Sequence, residues 1–387
     1  MQKLRNKKSK RKTNRMENEK EVLKLACLSE NAFNVVVSEF QLKDVLNVSR
    51  YGDGHINDTY LFTCKSGDYI VQRISKAAFK NIPALMKNIE LVTDYCTNKC
   101  LQAGGDPKQE VLRLVKTKDG APYFDYKDCS FRAYDFIKGA ISLNAVSNSN
   151  EFFEVGFAFG KYITMLDGFD ATTLSETIKD FHNTPVRYET FLKAVKEDKF
   201  DRVKLAAKEI EWVKSKSYLV SLLTDLLKSG NLPLRVVHND TKLNNLLVCE
   251  KTKKGLAVID LDTVMPGSIC YDFGDGIRSG CNTGAEDEID LTKVNFNEEL
   301  FEAFAKGFIK GTKTVITDTE KANLVNGAIV ITLECGIRFL TDFLSGDVYF
   351  RTHRENQNLH RARTQFKLVD EMERLSNKLN EFVKSVI

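Results

Sequence analysis

The apolar residues of this 387-residue chain change their period once, near Gly139, and that change limits what the chain can fold into. From Val45 to Ile137 the period is mostly two. "VLNVSRYG", "DTYLFTC" and "DYIVQRI" predict three strands, with turns at Asp53-Gly54 and near Gly67-Asp68. Pro83 then opens "PALMKNIELVTDYCTNKCL", whose Leu85, Ile89, Val92 and Cys96 recur at helical spacing. "EVLRLVKT" and "PYFDYKDCSFRAYDFI" predict further antiparallel strands, the second a hairpin turning at Lys127-Asp128. Beyond Gly139 the period becomes helical, over Glu151–Leu166, Leu205–Lys228, Asn297–Lys310, Lys321–Leu344 and Leu359–Val383. The expected class is α+β. A basic disordered tail (1–20) precedes a small antiparallel-sheet N-lobe (21–137), and a larger, mainly helical C-lobe follows (138–387), with a hinge around Asp135–Gly139.

Composition narrows the setting. Hydrophobic content of 42% and aromatic content of 10% suit a soluble globular protein, and no apolar run is expected to approach the roughly 18 residues that a membrane span requires. The formal charge of +4 is carried by the head "MQKLRNKKSKRKTNR", with eight bases and no acid; the remainder has 49 bases against 53 acids. A fold acidic in its body is a poor nucleic-acid surface, so the head reads as a solvated tail. Nine cysteines without a C-x-x-C pair predict reduced thiols in a cytoplasmic protein, Cys96 and Cys100 sharing a helix face.

The chemistry concentrates in "RVVHNDTKLNNLLVCEKTKKGLAVIDLD", residues 235–262. "LLVCE" and "LAVID", separated by "KTKKG", predict an antiparallel hairpin. In a hairpin the start of the first strand lies beside the end of the second, which brings Asn245 to Asp260. An amide oxygen and a carboxylate are hard ligands of the kind Mg²⁺ takes when it also holds phosphates. Asp240, in the loop feeding the hairpin, could orient a hydroxyl and accept its proton. H-x-D-x-x-x-x-N followed by a strand-borne Asp is the arrangement of phosphoryl transfer with ATP, whereas a lone H-x-D is only a polar turn. Lys242 could neutralise the transferring group or simply face solvent. "DFG" at Asp272–Gly274 lies past the hairpin, so Asp272 is expected to brace the loop rather than bind metal.

In "RYGDGHINDTYLF", Gly52 and Gly54 either make a plain turn or let backbone N–H groups approach phosphates, with His55 at the tip. "GDGHINDTY", "LRVVHNDTKLNN", "VIDLDTVMPGSICYDFGDGIR" and "LECGIRFLTDFLSGDVYF" together resemble the N-acetylhexosamine 1-kinases, within the aminoglycoside phosphotransferase and choline kinase superfamily. The likeness runs from about Arg50 to Glu373. It implies a protein-kinase-like two-lobed fold and transfer of the γ-phosphoryl of ATP, with Mg²⁺, to the anomeric hydroxyl of GlcNAc or GalNAc. It also implies Asp240 as base, Asn245 and Asp260 as metal ligands, and His55, Asp240 and Arg338 as sugar contacts, with adenine against the backbone around Asp135–Ile137. Arg338 could equally be a helix salt bridge to Glu334. The third strand departs from the usual kinase pattern. It offers Gln72 or Arg73 where a phosphate-pairing Lys is usual, and Glu90 is expected to pair with Arg73.

The small-molecule partner is therefore expected to be a sugar, with another sugar, amino alcohol or aminoglycoside as the alternative acceptor. No membrane and no nucleic acid are expected, and the protein should be a monomer or small homo-oligomer. A nucleotide-binding regulator without catalysis is disfavoured, because Asp240, Asn245 and Asp260 are all present.

Overall fold

The computed structural model describes residues 29–52 and 56–387. The basic head, and Gly54 and His55 of the glycine loop, lie outside the described residues. The chain divides into two compact units at the Lys138–Gly139 bond.

The first unit opens with helix α1 (Glu30–Glu39), started by Ser29, whose hydroxyl accepts from the Ala32 N–H. Strands β1 (Val45–Arg50), β2 (Asp58–Cys64) and β3 (Gly67–Ile74) follow, then helices α2 (Ile82–Gln102) and α3 (Pro107–Glu110). Strands β4 (Leu114–Val115), β5 (Phe124–Tyr126) and β6 (Cys129–Asp135) complete one antiparallel sheet of order β1-β2-β3-β6-β4, with β5 also on β6. Alternation sends Tyr60, Phe62, Val71, Phe131 and Ala133 to one face, where Val36 and Phe40 of α1 cover them. Each large side chain so buried contributes about 1.5–3 kcal/mol. Helix α2 starts at Asn81, whose side chain accepts from Ala84, and it buries Leu85, Ile89, Val92 and Cys96 as their spacing predicts. "EVLRLVKT" makes only the two-residue β4, because Glu110 ends a helical turn that begins at Pro107.

In the second unit β7 (Ala140–Ser142) leads to α4 (Ser149–Met165), α5 (Thr184–Glu197), α6 (Ala207–Ser215) and α7 (Leu222–Lys228). The single helix expected over 205–228 is in fact α6 and α7, parted by a 3-10 turn at Ser217–Leu219. Strand β8 (Arg235–Val237) pairs with β11 (Met265–Gly267), while β9 (Leu246–Cys249) pairs with both β10 (Gly255–Val258) and β7. Helices α8 (Ile269–Gly280), α9 (Glu298–Thr312), α10 (Asp318–Ala322), α11 (Leu324–Leu344) and α12 (Gln357–Ser385) complete it. Helices α4 and α9 meet backbone to backbone. A Cβ on Gly156 or Gly160 would come within 2.3 or 2.5 Å of a carbonyl oxygen of α9, and one on Gly307 or Gly311 within 2.1 or 2.5 Å of a carbonyl oxygen of α4.

One expectation needs correcting here. Leu324–Leu344 is long and apolar enough to cross a membrane by length and composition. It is buried along most of its length within its unit, and it carries the buried Glu334 and Asp342, as a core helix can when neighbours satisfy its polar groups. The described cysteines are free thiols. Burial pushes the Cys96 thiol up to about 12.

Candidate active site

The loop from His238 to Asn245 is held in place chiefly by buried Asp272 on α8. The two Asp272 carboxylate oxygens accept from the backbone N–H of His238 (2.9 Å) and of Asn239 (2.7 Å), and its carbonyl oxygen accepts from the Thr241 hydroxyl (2.5 Å). Burial pushes the Asp272 carboxyl up to about 6, against the pull of His238 and those two N–H donors. The "DFG" aspartate thus braces the loop, from a helix that three glycines had disguised.

His238 is also buried. Its Nε2 faces the Ile259 carbonyl at 2.8 Å and its Nδ1 faces the Asp240 N–H at 3.2 Å, so both ring nitrogens are engaged by the loop and the turn after β10. Thr263 donates to the His238 carbonyl and Asn239 donates to the Thr263 carbonyl, which ties the loop to the turn after β10. Asn239 sits at φ 65° and Asp260 at φ 60°, a region that Asn and Asp tolerate better than most residues.

On this frame Asp240 is only partly buried, so its carboxylate can meet a ligand. The buried Asn245 donates from its amide nitrogen to the Asp240 carbonyl (2.8 Å) and carboxylate (2.9 Å), bonds that do not use its amide oxygen. The hairpin register pairs Leu246 with Val258, and Ile259 donates to the Asn245 carbonyl at 2.9 Å. Asp260, the next residue, therefore lies beside Asn245. Lys242 Nζ stands 3.0 Å from the Asp240 carboxylate; burial lowers its ammonium, but Asp240, Asp275 and Asp260 outweigh that and raise it. Asp240, Lys242, Asn245 and Asp260 form one cluster. The donor pair Asn245 and Asp260 is an oxygen set that fits a hard divalent cation.

Arg338 lies on α11, and Glu334, one turn earlier, is not its salt-bridge partner. Buried Glu334 instead faces His182 Nδ1 at 2.8 Å and accepts from Thr184 at 2.6 Å. Burial pushes the Glu334 carboxyl up, yet His182 and Thr184 outweigh it and hold it below its ordinary value. The other His182 nitrogen faces the Asn239 carbonyl at 3.4 Å, so α11 reaches the loop of Asp240 through His182. No motif marks His182 in the sequence. The Arg338 guanidinium sits over three rings, Phe181 (5.6 Å), Tyr349 (5.8 Å) and Phe350 (5.5 Å).

In the first unit Gly52, at φ 72°, makes the turn after β1. The β2–β3–β6 register puts Gln72 opposite Thr59 and Arg132, on the face away from α1, and Arg73 opposite Asp58 and Phe131, on the α1 face. Arg73 pairs with Asp58, and Glu90 pairs with Lys116, so the expected Glu90–Arg73 pair is corrected. The two residues belong to opposite faces of the sheet. Asp135 ends β6 in an ion pair with Arg113 (3.4 Å), and Ile137 is buried two residues later.

The sequence signature of the phosphotransferase enzyme family (APH) matches residues 47–306. The chain belongs to that family, and its class is that of a small-molecule phosphotransferase, for which ATP is the expected phosphoryl donor. Solved structures agree on the protein-kinase-like fold. A microcompartment-associated aminopropanol kinase is 18% identical, with 90% of this chain and 98% of that one covered at a TM-score of 0.59. An amicoumacin kinase bound to AMP-PNP and Ca²⁺ is 14% identical over 89% and 93%, at 0.56. The choline kinase of Cryptosporidium parvum Iowa II is 14% identical over 88% and 93%, at 0.54.

Proposed function

We propose that this kinase phosphorylates the anomeric hydroxyl of an N-acetylhexosamine, GlcNAc or GalNAc, giving the sugar 1-phosphate. The observation that carries the choice of acceptor is Arg338 among Phe181, Tyr349 and Phe350. Aromatic faces suit the C–H face of a pyranose, and a guanidinium donates to hydroxyl or acetamide oxygens. Burial and then Arg338 pull the nearby Arg187 guanidinium down, which places two cations in one neighbourhood. The motif likeness around His55, Asp240 and Arg338 points the same way.

In this reading Asp240 orients the attacking hydroxyl and takes its proton, while Lys242 offsets charge on the transferring group. Asn245 and Asp260 would hold Mg²⁺, which supplies charge neutralisation at the phosphates. Buried Asp272 and His238 keep the loop from shifting, and positioning is most of what phosphoryl transfer asks of a protein.

Phosphorus NMR of the product formed from GlcNAc and ATP tests the proposal. An anomeric phosphate is expected; a 6-phosphate, or activity confined to choline or aminoglycosides, overturns it. Arg338→Leu should raise the KM for sugar by about tenfold or more with little change in that for ATP, the loss of one charged hydrogen bond. Equal effects on both substrates would remove Arg338 from the sugar.

A further inference from the structure

We infer that Lys116, held by Glu90, is the phosphate-binding cation of the nucleotide unit, in place of a lysine on the third strand. Kinases normally take that cation from β3 and pair it with a helix glutamate. Here the β3 position on the face away from α1 is Gln72, a neutral side chain. Its amide nitrogen donates to Thr59 (3.0 Å) and its oxygen accepts from Arg132 (2.9 Å). The register then runs on: Leu114 pairs with Tyr134 and Val115 with Ala133, so Lys116 comes next, alongside Arg132. Thr59, Gln72 and Arg132, on three neighbouring strands, and Lys116, just past β4, thus form a polar row, and Glu90 reaches it from α2 to pair with Lys116.

The helix glutamate is present and it has its lysine; only the strand supplying the lysine differs. Exposure decides between the two cations of the row. Arg132 is 1% exposed and cannot follow a ligand, whereas the Lys116 side chain is 34% exposed and its ammonium sits on a flexible stem. Arg73 is excluded by its face and by its pairing with Asp58.

The inference rests on the ATP-dependent class and not on the identity of the sugar, so the test omits the acceptor. Binding of MgATP and of adenosine is measured by calorimetry on the full chain. Lys116→Met should weaken MgATP binding by about tenfold to a hundredfold, the range for one charged hydrogen bond, with adenosine binding unchanged. Lys116→Arg should keep most of the affinity, and Gln72→Lys added to Lys116→Met should recover part of it, because position 72 stands in the same row. Glu90→Gln, acting as a positioning change, should weaken MgATP binding by less than Lys116→Met does, with adenosine binding unchanged. Arg73→Met should bind both ligands like the wild type. Unchanged MgATP affinity in Lys116→Met, or the larger loss in Arg73→Met, overturns the assignment.

Discussion

The two units hold their charged groups in opposite ways. Around Asp240 the supporting residues are sealed: His238, Asp272, Thr241 and Glu334 are all buried, and every support is a short side chain bonded to backbone or to another buried group. In the sheet unit the charged pairs Arg50–Asp58, Arg73–Asp58 and Lys116–Glu90 are long side chains that remain part-exposed. Buried, over-determined polar groups fix a geometry but fail badly when one partner is lost. Part-exposed pairs contribute little to stability and can exchange partners at small cost. The residues that brace the loop of Asp240 belong to the first kind, while Asp240 itself stays partly open at its surface. Lys116 and Glu90, proposed above to serve the nucleotide, belong to the second.

Substitutions can break that contrast, beginning with the largest effect. Asp240→Asn should fold normally and lose roughly 10²–10⁴ in turnover, the range for a positioned general base. Steady-state rates near wild type would refute the assignment. Asp260→Ala should raise the Mg²⁺ concentration needed for half-maximal rate by about tenfold or more, as loss of a metal ligand does; an unchanged Mg²⁺ titration would shift the role to Asp262.

Asp272→Asn should lower stability by about 1–3 kcal/mol, since an amide offers one acceptor where two backbone N–H groups need two. Its pH dependence has a defined sign. The folded value, about 6, lies above the ordinary 3.8, so the native state holds this proton more tightly than the unfolded chain. The contribution of Asp272 is therefore full below about pH 4, falls as pH rises to about 6, and is flat above. Urea unfolding of both proteins at pH 4 and 7 should show the cost of the substitution shrinking toward pH 7; a constant cost would contradict the titration. Smallest of all, Arg73→Met should change stability by under about 1 kcal/mol by the same unfolding assay. A larger loss would mean that the sheet unit is as tightly braced as the catalytic loop.

The sheet of the first unit was legible because alternation writes its faces directly, and so was the β9–β10 hairpin with Asn245 and Asp260 at one end. Other parts were illegible for physical reasons. Helix α8 is absent from the helices expected from spacing, since "DFGDG" is rich in glycine, yet those glycines let it pack closely: a Cβ on Gly274 would meet the Gly327 carbonyl at 2.5 Å. His182 joins the site through a tertiary contact with no local spacing to announce it. Arg73 and Gln72 could not be told apart until the cover of α1 showed which face was which, and Lys116 follows a strand too short to be read with its register.

The glycine seam between α4 and α9 has a consequence for how such a protein can vary. Side chains usually absorb change in a core, but at Gly156, Gly160, Gly307 and Gly311 no side chain stands between the two backbones. A single methyl there must move a whole helix. Such a movement would not stay local, because a Cβ on Gly255, in β10, would meet Ala158 of α4 at 2.4 Å, and β10 runs to Asp260. Chimaeras that exchange α4 between relatives without its partner α9 should therefore lose phosphoryl transfer even with every active-site residue intact, whereas exchanging the two helices together should preserve it.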